Sequence, residues 1–191
     1  PAHAVRFPIL VAGLLAAGAA MASSPEKAPS GISPGAKAPA FSVDDANGRT
    51  VTVPPPGRPA LLFLMGRATA DATRAIAARV HPLHPDVLIV NVIDLRAIPK
   101  LLRNYARSRV AAKHDEAFKA SQESWRAAGK EPPADLSEQI HLLPDFDGSI
   151  LLPYGADEAG KHAHVVLVGT SGDVRAVWTT PPDPQAVLDA F

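Results

Sequence analysis

One stretch constrains the fold more than any other. Pro59-Ala-Leu-Leu-Phe-Leu-Met-Gly66 is a continuous apolar run closed by a proline and a glycine. A strand buried on both faces reads this way. Thr69 to Val80 follows with helical spacing: Ala70, Ala72, Ile76, Ala77 and Val80 line one side. Asp71 near its start and Arg79 near its end suit the helix dipole. Val87-Leu-Ile-Val-Asn-Val-Ile93 is a second buried strand. Strand, helix, strand at this spacing makes a right-handed crossover, so the two strands are parallel.

The remaining elements assemble around that unit. Phe41 to Val53 reads as a hairpin, with Asn47-Gly48 as a two-residue turn between short alternating runs. Pro99 to Gly129 reads as one long helix or a broken pair, with Leu102, Ala106, Val110, His114, Phe118 and Trp125 near helical spacing. Leu142 to Gly155, rich in Pro, Asp and Gly, reads as a loop. His164–Val168 and Val174–Thr179 form a second hairpin about Gly169-Thr-Ser-Gly172. Pro184 to Phe191 opens a final helix so short that the chain is expected to be truncated there. The order predicts a mixed central sheet with helices on both faces.

The first residues predict export. Arg6 precedes the uncharged run Phe7–Met21, and Ala20-Met-Ala22 supplies a small-x-small pattern. Residues 1–22 therefore read as a signal peptide cleaved after Ala22. The run is shorter than the ~20 residues of a membrane span. No stable membrane anchor is expected after cleavage, and the location is periplasmic or secreted. Residues 23–34 read as a flexible Pro/Ser-rich leader, leaving one domain over 35–191.

Composition narrows the function. The formal net charge of the 191 residues is zero, which argues against nucleic-acid binding. The chain contains no cysteine. An exported protein without cysteine has no disulfide staples, so its core alone must hold it together.

Four passages resemble the redoxin branch of the thioredoxin-like superfamily, which includes peroxiredoxin-like and TlpA-like proteins. Gly35-Ala-Lys-Ala-Pro-Ala-Phe41 is similar to that branch's opening segment, and Asp45-Ala-Asn-Gly-Arg-Thr-Val51 to its hairpin. Pro144-Asp-Phe-Asp-Gly148 with Tyr154-Gly155, and Val165-Val-Leu-Val-Gly-Thr-Ser-Gly172, are similar to its later landmarks. The likeness spans about residues 33–191. It implies a three-layer α/β/α fold with a mixed central sheet and an N-terminal β-hairpin. It also implies that Met65, Gly66, Arg67, Thr69 and Ala72 occupy the position of a redox active-site loop. Ala163 falls in the slot of the branch's cis-proline. The loop Gly66–Ala70 further resembles that of some cysteine-less periplasmic proteins of the YtfJ-like group.

The departures decide the chemistry. Where the branch carries its reactive cysteine or Cys-x-x-Cys pair, this chain has Thr69 and Ala72. Thiol redox needs a thiolate. Alanine supplies no nucleophile, and a threonine hydroxyl neither ionises unaided nor forms a disulfide. These residues exclude thiol oxidoreductase and thiol peroxidase chemistry, and no motif asks for a cofactor.

The other candidates are modest. His162 and His164 flank Ala163 on an incoming strand and could clamp copper or zinc, though two imidazoles make an incomplete site. The plainer reading is a solvated strand start. His81 and His84 follow a helix end, where histidine caps carbonyls. His114 sits on an apolar stripe and reads as packed. Asp145 and Asp147 read as turn formers, because no glutamate completes a calcium loop. Arg67 and the N–H groups at the helix start could hold an anion. The alternative is an exposed loop with Thr69 as the helix cap. The long segment 99–129 begins with Lys100, Arg103, Arg107, Arg109 and Lys113 and turns acidic at Asp115 and Glu116. It could dock a protein partner or lie on an anionic membrane surface; its mixed polarity favours a solvated face. The expected function is a non-catalytic binding or protein-interaction module of the cell envelope. A metal- or anion-binding protein, or an antioxidant role through a cysteine-bearing partner, is the alternative.

Overall fold

A computed structural model describes residues 32–191. The segment expected to be a signal peptide, residues 1–22, and most of the expected leader, residues 23–34, lie outside the described residues. Strands β1 (Phe41–Asp44) and β2 (Thr50–Val53) form the expected hairpin. β3 (Ala60–Met65), α1 (Ala70–Val80) and β4 (Leu88–Asp94) form the expected crossover, with β3 and β4 parallel from Ala60↔Leu88 to Met65↔Ile93. The long segment resolves into one helix, α2 (Arg103–Ala127), behind a 3₁₀ turn at Lys100–Leu102. β6 (His164–Val168), β7 (Val174–Trp178) and α3 (Pro184–Leu188) close the domain.

The main correction is a fifth strand. β5 (Ile140–Asp145) runs through the start of the segment expected to be a loop and pairs parallel with β4. The sheet order is therefore β5-β4-β3-β6-β7. Pro144 hides this strand in the sequence, because proline cannot donate to a ladder. It is tolerated here because β5 is at an edge. The edge is covered by the hairpin loop: Ala46 N–H donates to Leu142 C=O at 2.9 Å.

The first hairpin's turn also differs. The ladder ends at Asp44↔Thr50, so the loop holds five residues rather than two. Asp45 makes that loop by accepting from the N–H groups of Asn47 and Arg49 at 2.9 and 3.0 Å. Gly48 provides the left-handed position, with φ 78°.

Period-2 alternation sorts the core into two faces. Leu61, Phe63 and Met65 of β3 point one way, with Ile89, Val165 and Leu167, toward Ile76, Val80, Trp125 and Val187 of the three helices. Leu62 and Leu64 point the other way, with Val90, Val92, Val166 and Val168. There they meet Val51 and Val53 of the hairpin and Ile150, Leu151 and Tyr154 of the loop after β5. The class is α/β with a mixed sheet, as expected. Its outer layers are unequal: α1, α3 and the Trp125 end of α2 cover one face, the hairpin and the 146–160 segment the other.

Two side chains depart from their expected faces. Ala72 is exposed and Thr73 is buried in its place, ~100° further round α1. Leu102 is 53% exposed because it lies in the 3₁₀ turn ahead of the buried stripe of α2.

Buried histidines give this core a pH dependence. His81 does not cap carbonyls; its Nε2 lies 2.9 Å from Gln139 Oε1. Burial lowers its pKa from the ordinary 6.5, and burial likewise lowers that of His141. Below 6.5 the unfolded chain takes up protons that these folded sites refuse, so stability falls as the pH drops further. Each histidine contributes at most about 1.4 kcal/mol per pH unit in that range. The urea midpoint should therefore decline steadily from neutral pH downward. A flat midpoint through that range would contradict the assignment.

Candidate functional site

The C-terminal ends of β3 and β4 are where an open α/β sheet places its ligands. Here they carry Met65-Gly66 and Asp94. Gly66 is extended (φ −103°, ψ −179°) and leads into a 3₁₀ turn, Arg67–Thr69. The Thr69 hydroxyl does not reach forward to cap α1. It turns back instead, accepting from Gly66 N–H at 3.2 Å and donating to Gly66 C=O at 3.1 Å. The expected helix cap is thus replaced by a closed local turn. Arg67 and Ala72 are exposed at its rim.

Beneath the loop the wall is apolar. Met65 and Ala163 are buried, and Ala163 directly precedes β6. Among the described residues the single cis peptide bond is Val53–Pro54, so the peptide entering Ala163 is trans. Thr73, which sequence reasoning missed, is buried with its hydroxyl 3.0 Å from Met65 Sδ and 2.9 Å from Ala70 C=O. The helical spacing placed Ala72 rather than Thr73 on the inner side of α1, so no local pattern signalled it.

Gly160 packs closely against the loop at Gly66. A Cβ on Gly66 would stand 2.5 Å from Gly160 Cα. Gly160 belongs to a segment clamped from β4: Arg96 donates Nε and Nη2 to the Asp94 carboxylate, both at 2.9 Å, and Nη2 also to Asp157 C=O. Those hydrogen bonds from Arg96 hold Asp94 below the usual carboxylate range. The Asp94 carboxylate is thus engaged by Arg96, and the Thr69 hydroxyl by the Gly66 backbone. Substituting Gly66→Ala should force the two backbones apart and cost about 1–3 kcal/mol, read as a lower urea midpoint. An unchanged midpoint would show that the loop is not packed this tightly.

The two candidate ligands sit differently from expectation. β6 begins at His164, so His162 is an exposed turn residue rather than a strand residue. Both line a shallow cavity of about 350 Å³ with Asp157, Glu158, Thr179 and Thr180. Burial, with the nearby His162, lowers the pKa of His164. Among the described residues no three His, Cys, Asp or Glu side chains converge to hold a metal.

A different region stands out by exposure. Leu101 is 96% exposed and Tyr105 66%, beside the exposed Leu102. Leu101 and Leu102 lie in the 3₁₀ turn leading into α2, and Tyr105 in the first turn of α2, where the segment is basic. Next to them the Arg103 and Arg107 guanidinium groups lie 5.3 and 5.6 Å from the centre of the Phe146 ring. Arg103 also donates to Phe146 C=O at 3.1 Å. These two arginines, with Val43, Asp44, Leu143 and Asp147, border a cavity of about 520 Å³.

No protein-family model and no curated protein matches the sequence. Solved structures do match the fold. StoA from Bacillus subtilis aligns with a TM-score of 0.50 at 12% identity, over 82% of this chain and 98% of that one. A Chlorobium tepidum protein provisionally described as the thiol:disulfide interchange protein DsbE aligns with 0.51 at 16%, over 83% and 95%. The fold is thioredoxin-like. A hypothetical protein from Sinorhizobium meliloti gives 0.54 at 16%, over 83% and 84%. At these identities the likeness shows the thioredoxin-like architecture alone. The architecture is present, and the residues of the loop at 65–72 carry no thiol.

Proposed function

We propose that this thioredoxin-like domain is a non-catalytic binding module of the cell envelope. The observation that carries the reading is the pairing of a closed, thiol-free loop with exposed apolar side chains concentrated elsewhere. Three of the five large hydrophobic side chains exposed among the described residues are Leu101, Leu102 and Tyr105; the others are Leu83 and Leu152. Single exposed apolar residues are ordinary, whereas a cluster marks a contact surface. Export rests on the secretory pattern of residues 1–22.

Carbene footprinting tests this. The envelope fraction of the native host should reduce labelling of Leu101, Leu102 and Tyr105 several-fold and leave Leu83 unchanged. The purified chain should also consume no peroxide in the presence of dithiothreitol. Unchanged labelling at Leu101–Tyr105, or peroxide turnover, would sink the reading.

A further inference from the structure

We infer that the start of α2 is a peripheral docking surface for anionic phospholipid. The inference rests on the binding-module reading and names the occupant of that same surface. From Pro99 to Lys113 the chain carries five basic residues and no acidic one. Lys113 is taken up by Glu116 at 2.7 Å. Lys100, Arg107 and Arg109 are exposed, and no ion pair among the described residues engages them. Asp44 and Asp147 share a cavity with Arg103 and Arg107, so Lys100 and Arg109 are the cleaner contributors to the positive field.

The apolar members fit a bilayer better than a folded partner. Val110 and His114 face the protein from α2. At ~100° per residue, Tyr105 falls on the opposite side of the helical wheel, and Leu101 is exposed in the 3₁₀ turn just before α2. Leu101, almost wholly exposed, lines neither of the two cavities described above. A partner of fixed shape would need a matching pocket, whereas a lipid interface accommodates any protruding tip. Leucine and tyrosine flanked by lysine and arginine is the composition that seats a helix at the headgroup level. No helix among the described residues is long and apolar enough to cross a membrane. The contact is therefore one of lying on the surface, with Leu101, Leu102 and Tyr105 dipping in and Lys100 and Arg109 meeting lipid phosphates.

The test is co-sedimentation of the described domain, carried in the full chain after signal removal, with vesicles of equal parts phosphatidylglycerol and phosphatidylcholine. Binding is expected there and not on pure phosphatidylcholine. Raising salt from ~0.01 M to ~1 M should abolish it, as the screening length falls from about 30 Å to about 3 Å. Each basic residue near an anionic surface is worth about fivefold in affinity. Lys100→Gln with Arg109→Gln should thus weaken binding more than tenfold. Leu101→Ser with Tyr105→Ser should do the same, and because both side chains are exposed the urea midpoint should hold.

Failure to bind the anionic vesicles at low salt overturns the inference. So does equal binding to both vesicle types. Retained binding in the Leu101→Ser/Tyr105→Ser variant also overturns it, by making the surface a purely ionic one suited to an acidic protein. If the vesicles fail while the envelope fraction still protects Leu101 and Tyr105, the docking surface stands and only its lipid occupant falls.

Discussion

Asp145→Ala should destabilise the domain by about 3–5 kcal/mol, the class of loss reserved for a buried acceptor with several dependants. The carboxylate is 2% exposed. It accepts from the N–H groups of Gly148, Ile150 and Leu151 at 2.8, 3.0 and 2.9 Å, and from Asp147 N–H at 3.3 Å. Alanine leaves those donors buried without a partner. Asp145→Asn repairs little, since its amide NH₂ would face N–H groups. For a domain of this size a loss of that order lowers Tm by about 10 °C. Asp147→Ala is the control: its side chain is exposed and supports one turn bond, to Ser149 N–H at 3.0 Å. It should cost about 0.5 kcal/mol or less. Equal melting temperatures for the two variants would refute the assignment. The turn also carries Phe146, so its loss should loosen the seat of Arg103 and Arg107 at the start of α2.

That turn shows what was legible in the sequence. Asp-Phe-Asp-Gly reads as turn chemistry, and Asp145 performs it. The strand leading into the turn was not legible, because Ile-His-Leu-Leu is short and Pro144 reads as a breaker. Strands β3, β4 and β6 were legible because their apolar runs are continuous and sharply bounded. Alternation then divides them between two cores that no local pattern distinguishes. The closed state of the loop at Gly66 was invisible, since it depends on Gly160, 94 positions away in the chain. His141 gave no signal at all. His114 was correctly placed in the packed interior, but its reason is polar: it meets the guanidinium of Arg49. Long-range polar contacts have no period, so only the folded chain reveals them.

Those contacts explain how a domain without disulfides holds a seven-stranded arrangement of two sheets together. The hairpin is not part of the main sheet. Apart from the main-chain bond from Ala46 N–H to Leu142 C=O, its attachment to β5 and α2 comes from side chains reaching across the gap. Apolar burial of Val51 and Val53 anchors its inner face, while the loop 45–49 is fixed by charge.

Asp45→Ala should therefore rival the Asp145 substitution, at about 3–5 kcal/mol. Asp45 is 1% exposed and accepts from His141 Nδ1 and from Arg49 Nε, each at 2.9 Å. Arg49 continues outward, donating to Ser137 C=O at 2.7 Å and Ile140 C=O at 3.1 Å. Its Nη2 also lies 2.9 Å from His114 Nε2. One carboxylate thus ties the hairpin to β5 and, through Arg49, to α2. Removing it strands a partly buried guanidinium. Removing Arg49 as well should recover part of the loss, with a coupling of about 0.5–3 kcal/mol in the double-mutant cycle. Acid supplies a second readout. Burial alone would raise the pKa of Asp45, but hydrogen bonds from His141, Arg49 and Asn47, with the Arg49 charge, outweigh it and lower it from 3.8. Its contribution is then complete above 3.8 and disappears as the pH falls through the lowered value. The gap in urea stability between wild type and Asp45→Ala should be widest near neutrality and close in strong acid. A gap that stays constant on acidification would mean that the carboxylate's charge does not hold the latch.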